Sequence, residues 1–122
     1  MGNRQSLGRW GENLAAEYLQ AQGYTILERN VHTPYGEIDL VAEQADPPTL
    51  VFVEVKARRS RQYGLPEEAV NSRKQVHLLS AVSYYLQQHP EFPGAIRLDV
   101  IAIQSYQPGT VPVITHFENA IS

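Results

Sequence analysis

The sequence contains no cysteine, one methionine and one tryptophan. Without cysteine there can be no disulfides and no thiolate metal centres, so a bound metal would be held mainly by oxygen. The four histidines, His32, His77, His89 and His116, lie far apart in the chain and nowhere at zinc-ligand spacing. No apolar run approaches the ~20 residues needed to span a bilayer, and no apolar core follows Arg4 and Arg9 as a secretory signal requires. A cytoplasmic protein is the expectation. An excess of positive charge is also lacking. Ten Lys and Arg against thirteen Asp and Glu give a formal net charge of −3, which argues against a general basic coat for nucleic acid.

What is present is ordinary globular composition, with 43% hydrophobic and 19% charged residues in 122. That length fits one domain, 1–122, and no repeat, low-complexity tract or linker divides it. The charge is unevenly spread. Lys56, Arg58, Arg59, Arg61, Arg73 and Lys74 fall between positions 56 and 74 against only Glu67 and Glu68, a local balance of +4. This is a basic patch on an acidic chain.

Ser6 can cap a helix over 7–22, with Leu7, Trp10, Leu14 and Tyr18 on one stripe broadened by Ala15 and Leu19, stopping at Gly23. Residues 24–30 are rich in β-formers and lead to a turn at Pro34, Tyr35 and Gly36. Residues 37–43 alternate as a second strand. After the breaker 45–48, residues 49–58 form the strongest strand, and Leu50 to Val53 are apolar on both faces, as in a central strand covered by helices. A basic loop over 59–66 precedes a helix over 70–88 carrying Leu79, Val82 and Leu86 on one stripe, ended by Pro90. Strands follow over 95–104 and, at an edge, 111–117. The expected fold is an α/β mixed sheet flanked by helices, in the order αβββαββ.

The second and third strands read as a hairpin. If Gln44 pairs with Thr49, facing positions sum to 93, which sets Asp39 opposite Glu54 and Glu37 opposite Lys56, all four on one face. Facing side chains have Cβ atoms ~5 Å apart, and like charges there are unfavourable unless offset. A divalent cation offsets them directly, and oxygen ligands suit Mg²⁺ or Mn²⁺. Lys56 would then stabilise charge on phosphate or orient water. The competing reading is a solvated strand face with an ordinary cross-strand salt pair.

Gly8 and Gly11 each cost the first helix ~1 kcal/mol relative to Ala. Small residues there would let the helix approach the sheet and bring Glu12 in as a further ligand; otherwise Glu12 is a first-turn carboxylate favoured by the helix dipole. Gln75 extends the second helix's stripe toward the site. Arg58, Arg59, Arg61, Arg73 and Lys74 form a candidate phosphate-contacting rim around it. Asp99 interrupts an apolar strand and reads as structural, paired with Arg97 or Arg29. Tyr63, Tyr84 and Tyr85 are candidates for base stacking, with packing as the alternative for the two on the helix. The histidines receive no role.

Gly8, Arg9, Gly11 and Glu12, then GEIDLVA (36–42), VFVEVKAR (51–58) and RLDVIAI (97–103) together resemble the YraN-like family of small bacterial proteins, from about Leu7 to Ile103. That family is similar to archaeal Holliday junction resolvases and has the restriction-endonuclease-like fold. The resemblance implies the PD-(D/E)xK nuclease pattern: Asp39 and Glu54 as metal ligands, Lys56 as catalytic lysine, and Glu12 as the glutamate that the resolvase-like branch draws from its first helix. Ile38 stands where the pattern's name has proline. The implied activity is Mg²⁺- or Mn²⁺-dependent cleavage of DNA, including branched DNA, and paired cuts would imply a homodimer. A non-catalytic nucleic-acid-binding module on the same fold is the alternative, since fold alone does not fix function.

Overall fold

The computed structural model describes residues 7–58, 72–105 and 109–120, with the side chains of 72–76 outside that description. The elements are α1 (Leu7–Ala21), β1 (Thr25–Thr33), β2 (Gly36–Ala45), β3 (Pro48–Arg58), α2 (Ser72–Gln88), β4 (Ala95–Gln104) and β5 (Val113–Phe117). The expected αβββαββ order is therefore observed. The first and second strands extend beyond the ranges read from the sequence, and the last begins two residues later.

The five strands make one sheet in the order β1-β2-β3-β4-β5. Neighbours are antiparallel except β3 and β4, which are parallel and joined through α2. A parallel pair needs such a crossover, and both sheet faces are then covered. On one face α2 contributes Leu78, Ala81, Val82 and Tyr85, which pack with Ile38, Val41, Leu50, Phe52, Leu98 and Val100. On the other, Ala15, Ala16 and Leu19 of α1 pack with Leu40, Ala42, Val51, Val53, Ile101 and Ile103. The run Leu50 to Val53 thus serves both cores by simple alternation.

Two stripe assignments are corrected. On α2 the inward stripe is Leu78, Ala81, Val82 and Tyr85, while Leu79 is 40% exposed. The two candidate stripes differ by one residue, and apolar neighbours such as Leu78 and Leu79 satisfy either. On α1 the fully buried line runs through Gly11, Ala15, Ala16 and Leu19, with Trp10, Leu14 and Tyr18 at its flank. Helix α1 ends as expected: Gly23 adopts φ +98° while its N–H and that of Tyr24 bond back to Gln20 and Leu19 carbonyls.

Candidate active site

The register across the β2–β3 hairpin is the one read from the sequence, with Gln44 opposite Thr49 and every pair from Leu40–Val53 to Ala45–Pro48 summing to 93. It stops there. Asp39 and Glu54 do not form the next ladder pair, nor Glu37 and Lys56 the pair after. Asp39 Oδ2 instead accepts the Val55 N–H at 2.7 Å, so a side chain occupies the place a backbone carbonyl would otherwise take. On the other side of β2, Asn30 of β1 sits between the Arg29–Leu40 and Val31–Ile38 pairs with φ +54°. Ile38 belongs to the α2-side core and Leu40 to the α1-side core. Strict alternation would place residues two apart on one face, so β2 changes face at Asp39, and the two strands part at that residue.

This parting puts the Asp39 carboxyl between groups from three elements. Burial pushes its pKa up to about 7; the Val55 N–H and Lys56 oppose this, and the charges of Glu54 and Glu12 add to it. Lys56 Nζ lies 2.8 Å from Glu54 Oε2, and the side chains are only 12% and 18% exposed. Glu12 acts on Asp39 through its charge, and α1 carries it there by lying close to β3 at Gly11, where an added Cβ would stand 2.7 Å from Ala57 Cβ. Gly8 has no such role, as nothing lies within 4 Å of its added Cβ.

The structure thus brings together Asp39, Glu54, Lys56 and Glu12. It does not include Glu37, which pairs with His32 at 3.0 Å in the open. Arg58 ends β3 partly buried. Arg59 and Arg61 lie outside the described residues, and Arg73, Lys74 and Gln75 are placed on α2 by backbone only, so the basic rim remains a reading of the sequence.

Among the described residues no three His, Asp or Glu side chains are gathered closely enough to hold a metal by themselves. The donors present nevertheless suit a hard cation. They are carboxylates, with Asp39 raised first by burial and further by the charges of Glu54 and Glu12, and Mg²⁺ is commonly held by one or two carboxylates with water and substrate phosphate completing the octahedron. Glu12, Asp39 and Glu54 are the carboxylates from which a cation could draw one or two ligands, with water and phosphate supplying the rest.

Residues 11–103 match the model of the family described as Uncharacterised protein family UPF0102. The chain belongs to the UPF0102 family. A UPF0102 protein of Syntrophomonas wolfei subsp. wolfei is 55% identical over 101 residues, covering 83% of this chain and 85% of its own. Another, from Syntrophotalea carbinolica, is 45% identical over 117 residues, with 96% and 92% covered. Among solved structures, the one titled "Structure of EndoMS-dsDNA2 complex" aligns with a TM-score of 0.45 and 18% identity over 88% of this chain, which spans about two fifths (41%) of that one. The UPF0102 segment includes Glu12, Asp39, Glu54 and Lys56 and ends before β5.

One cluster of chemistry was missed from the sequence. Asp99 is fully buried. It accepts bonds from Arg97 Nε (2.9 Å) and the Asn119 N–H (2.9 Å) and lies 2.7 Å from His116 Nε2. The other His116 nitrogen meets the Tyr18 hydroxyl at 3.1 Å, and Arg97 also donates to Tyr24. Arg97 and Asp99 share a face by alternation, so their pairing was readable; His116, 17 positions away on the outermost strand, left no local signal. The bonds of this network tie β4, β5 and α1 together. The structural role expected for Asp99 agrees with this, with Arg97 rather than Arg29 as its partner.

Proposed function

We propose that this protein is a divalent-metal-dependent nuclease that hydrolyses phosphodiester bonds in DNA, with branched or otherwise structured DNA as the substrate class suggested by the sequence resemblance. The observation that carries the reading is the Asp39 carboxyl at the parting of β2 and β3, with Glu54, Glu12 and Lys56 around it. Three carboxylates and one ammonium in a partly buried site suit metal-assisted phosphodiester hydrolysis.

Glu12, Asp39 and Glu54 would hold Mg²⁺ or Mn²⁺, and the bound cation supplies Lewis acidity toward phosphate and a lower pKa for water. Lys56, ion-paired with Glu54, would neutralise charge that develops on the phosphate oxygens. The Val55 N–H fixes one Asp39 oxygen and so sets the direction of the other. A dimer making paired cuts is part of the same reading.

The test is calorimetric titration of Mn²⁺ into the wild type and Asp39→Ala, beside cleavage of branched and linear DNA. Binding and cleavage that both disappear in the variant while its fold survives are expected. Cleavage equal in the two proteins would sink the reading. Two observations favour a second reading, a nucleic-acid-binding module without turnover: Lys56 is already ion-paired, and among the described residues no three-ligand set is preassembled. Such a module would hold DNA equally well in EDTA and leave it intact over long incubation with Mn²⁺.

A further inference from the structure

The β1–β2 turn carries Tyr35, which is 54% exposed although it is a large aromatic. Its ring stands edge-on to that of Tyr84 on α2, with centroids 6.4 Å apart and an interplanar angle of 63°. Tyr35 also separates two depressions. One, of about 340 Å³, is lined by Tyr35, Leu79, Ser80, Ser83, Tyr84 and Gln87. The other, of about 160 Å³, is lined by Tyr35, Gly36, Glu37, Glu54, His77 and Leu78. The two depressions adjoin at Tyr35, and the residues of α2 that line them run from His77 to Gln87, so together they line a shallow trench along α2 with Glu54 at one end. From His77 to Gln87 that helix advances ~15 Å at ~1.5 Å per residue, the length of about four stacked nucleotides at ~3.4 Å each.

The lining changes along the trench. The end at Glu54 is acidic, while among the described residues the lining of the larger section includes no Lys, Arg, Asp or Glu. The described lining offers rings and hydrogen-bonding groups rather than charge. Two accessible aromatic rings, an exposed leucine, two hydroxyls and an amide instead suit flat, partly apolar rings with hydrogen-bonding edges. Those are the properties of unpaired nucleobases, which stack on aromatic side chains without needing a particular sequence. In a duplex the base faces are covered by their neighbours, so the same surface has little to offer it.

Building on the nuclease reading, we infer that this trench binds an unpaired nucleic-acid strand through base stacking on Tyr35 and Tyr84 and leads that strand to Glu54. The site would then favour a single-stranded arm or the unpaired region beside a junction over continuous duplex.

The experiment is fluorescence anisotropy in EDTA, so that binding is read without cleavage. The probes are a short fluorescein-labelled oligothymidylate, the matching oligouridylate and a duplex of equal length. The proteins are the wild type, Tyr35→Ala, Tyr84→Ala, Tyr84→Phe, and Gln20→Ala on the exposed side of α1 as a control, each checked for fold by circular dichroism. Each alanine variant is expected to bind the single strand about tenfold more weakly, with Tyr84→Phe and Gln20→Ala close to wild type and the duplex weaker and indifferent to the tyrosines. The ratio of the two single-stranded affinities identifies DNA or RNA as the source of the bases. Single-strand affinity that is absent in the wild type, unchanged in both alanine variants, or lost equally for duplex would overturn the inference. Because no metal is present, a protein that binds in this way but never cuts DNA would refute the nuclease reading and leave the trench standing.

Discussion

Asp39 replaces a backbone partner for Val55: its carboxylate accepts that N–H at 2.7 Å, one residue beyond the last ladder pair of the hairpin, Leu40 with Val53. The bond explains how a carboxyl can be held half-buried where two strands separate. A lone N–H at the start of the gap would be costly unsatisfied, and the carboxyl that satisfies it is also the one that feels the charges of Glu54, Glu12 and Lys56.

That position makes Asp39 a source of instability at neutral pH. Its pKa is raised from 3.8 to about 7 in the fold, so between those values the folded state holds more protons than the unfolded one. Stability therefore falls as pH rises through this window and levels off above it. Asp39→Asn keeps an oxygen for the Val55 N–H and removes the charge. At pH 8 in EDTA the variant should be more stable than wild type by about 1–3 kcal/mol, a figure reduced for partial solvent screening, and the gap should close near pH 4. Urea unfolding across that range measures it; a gap that widens toward pH 4 would contradict the assignment.

Asp99 has the opposite sign. Burial alone would raise its carboxyl, but the bonds from His116, Arg97 and the Asn119 N–H outweigh that and hold it below the ordinary 3.8. The unfolded state then takes up protons first, so this contribution is present above pH ~4 and is lost as the pH falls through the lower folded value. Asp99→Asn leaves Arg97 without its carboxylate and should destabilise by about 3 kcal/mol at pH 7. The loss should shrink in acid, which thermal unfolding at pH 7 and pH 3 would measure.

The contrast between these two aspartates shows what a sequence carries. The hairpin register followed from 45–48 as a breaker and from alternation, and it placed Asp39, Glu54 and Lys56 near one another. The parting of the strands at Asp39 did not follow, because it depends on Asn30 at φ +54° in the neighbouring strand and on the competition of a side chain for the Val55 N–H. Glu12 was readable only through Gly11, whose cost to the helix needed a reason. The stripe of α2 slipped by one position because Leu78 and Leu79 are equally apolar. His116 was invisible for a different cause: its partners are separated from it by tertiary structure alone.

Lys56 offers a prediction that joins electrostatics to activity. Lys56→Met removes the ammonium 2.8 Å from Glu54 and one of the two influences that lower the Asp39 pKa. Under the proposed function, Mn²⁺ affinity should then require a higher pH, since the carboxylates must be deprotonated to bind. Cleavage at saturating metal should fall by about a hundredfold or more. Metal titrations at several pH values beside single-turnover cleavage separate the two effects. A variant that cleaves at the wild-type rate would remove Lys56 from the chemistry.

The two helix glycines, alike in sequence, should respond oppositely to alanine. At Gly8 an added Cβ meets nothing within 4 Å, so Gly8→Ala gains helix propensity alone and should stabilise by up to about 1 kcal/mol. At Gly11 the Cβ would stand 2.7 Å from Ala57 Cβ, closer than carbon atoms pack, and in ordinary contact with Val55 Cγ1 at 3.5 Å. Either α1 or β3 must move, at a cost of about 1–3 kcal/mol that outweighs the propensity gain. The displacement would also carry Glu12 away from Asp39, so metal affinity should fall with stability. Ala57→Gly in the Gly11→Ala background restores the space and should recover metal affinity, less the strand cost of a second glycine. Urea unfolding and Mn²⁺ titration of the two single variants and the double variant decide the matter. Gly11→Ala as stable as Gly8→Ala would mean that α1 does not approach β3 through this glycine, and the placement of Glu12 would fall with it.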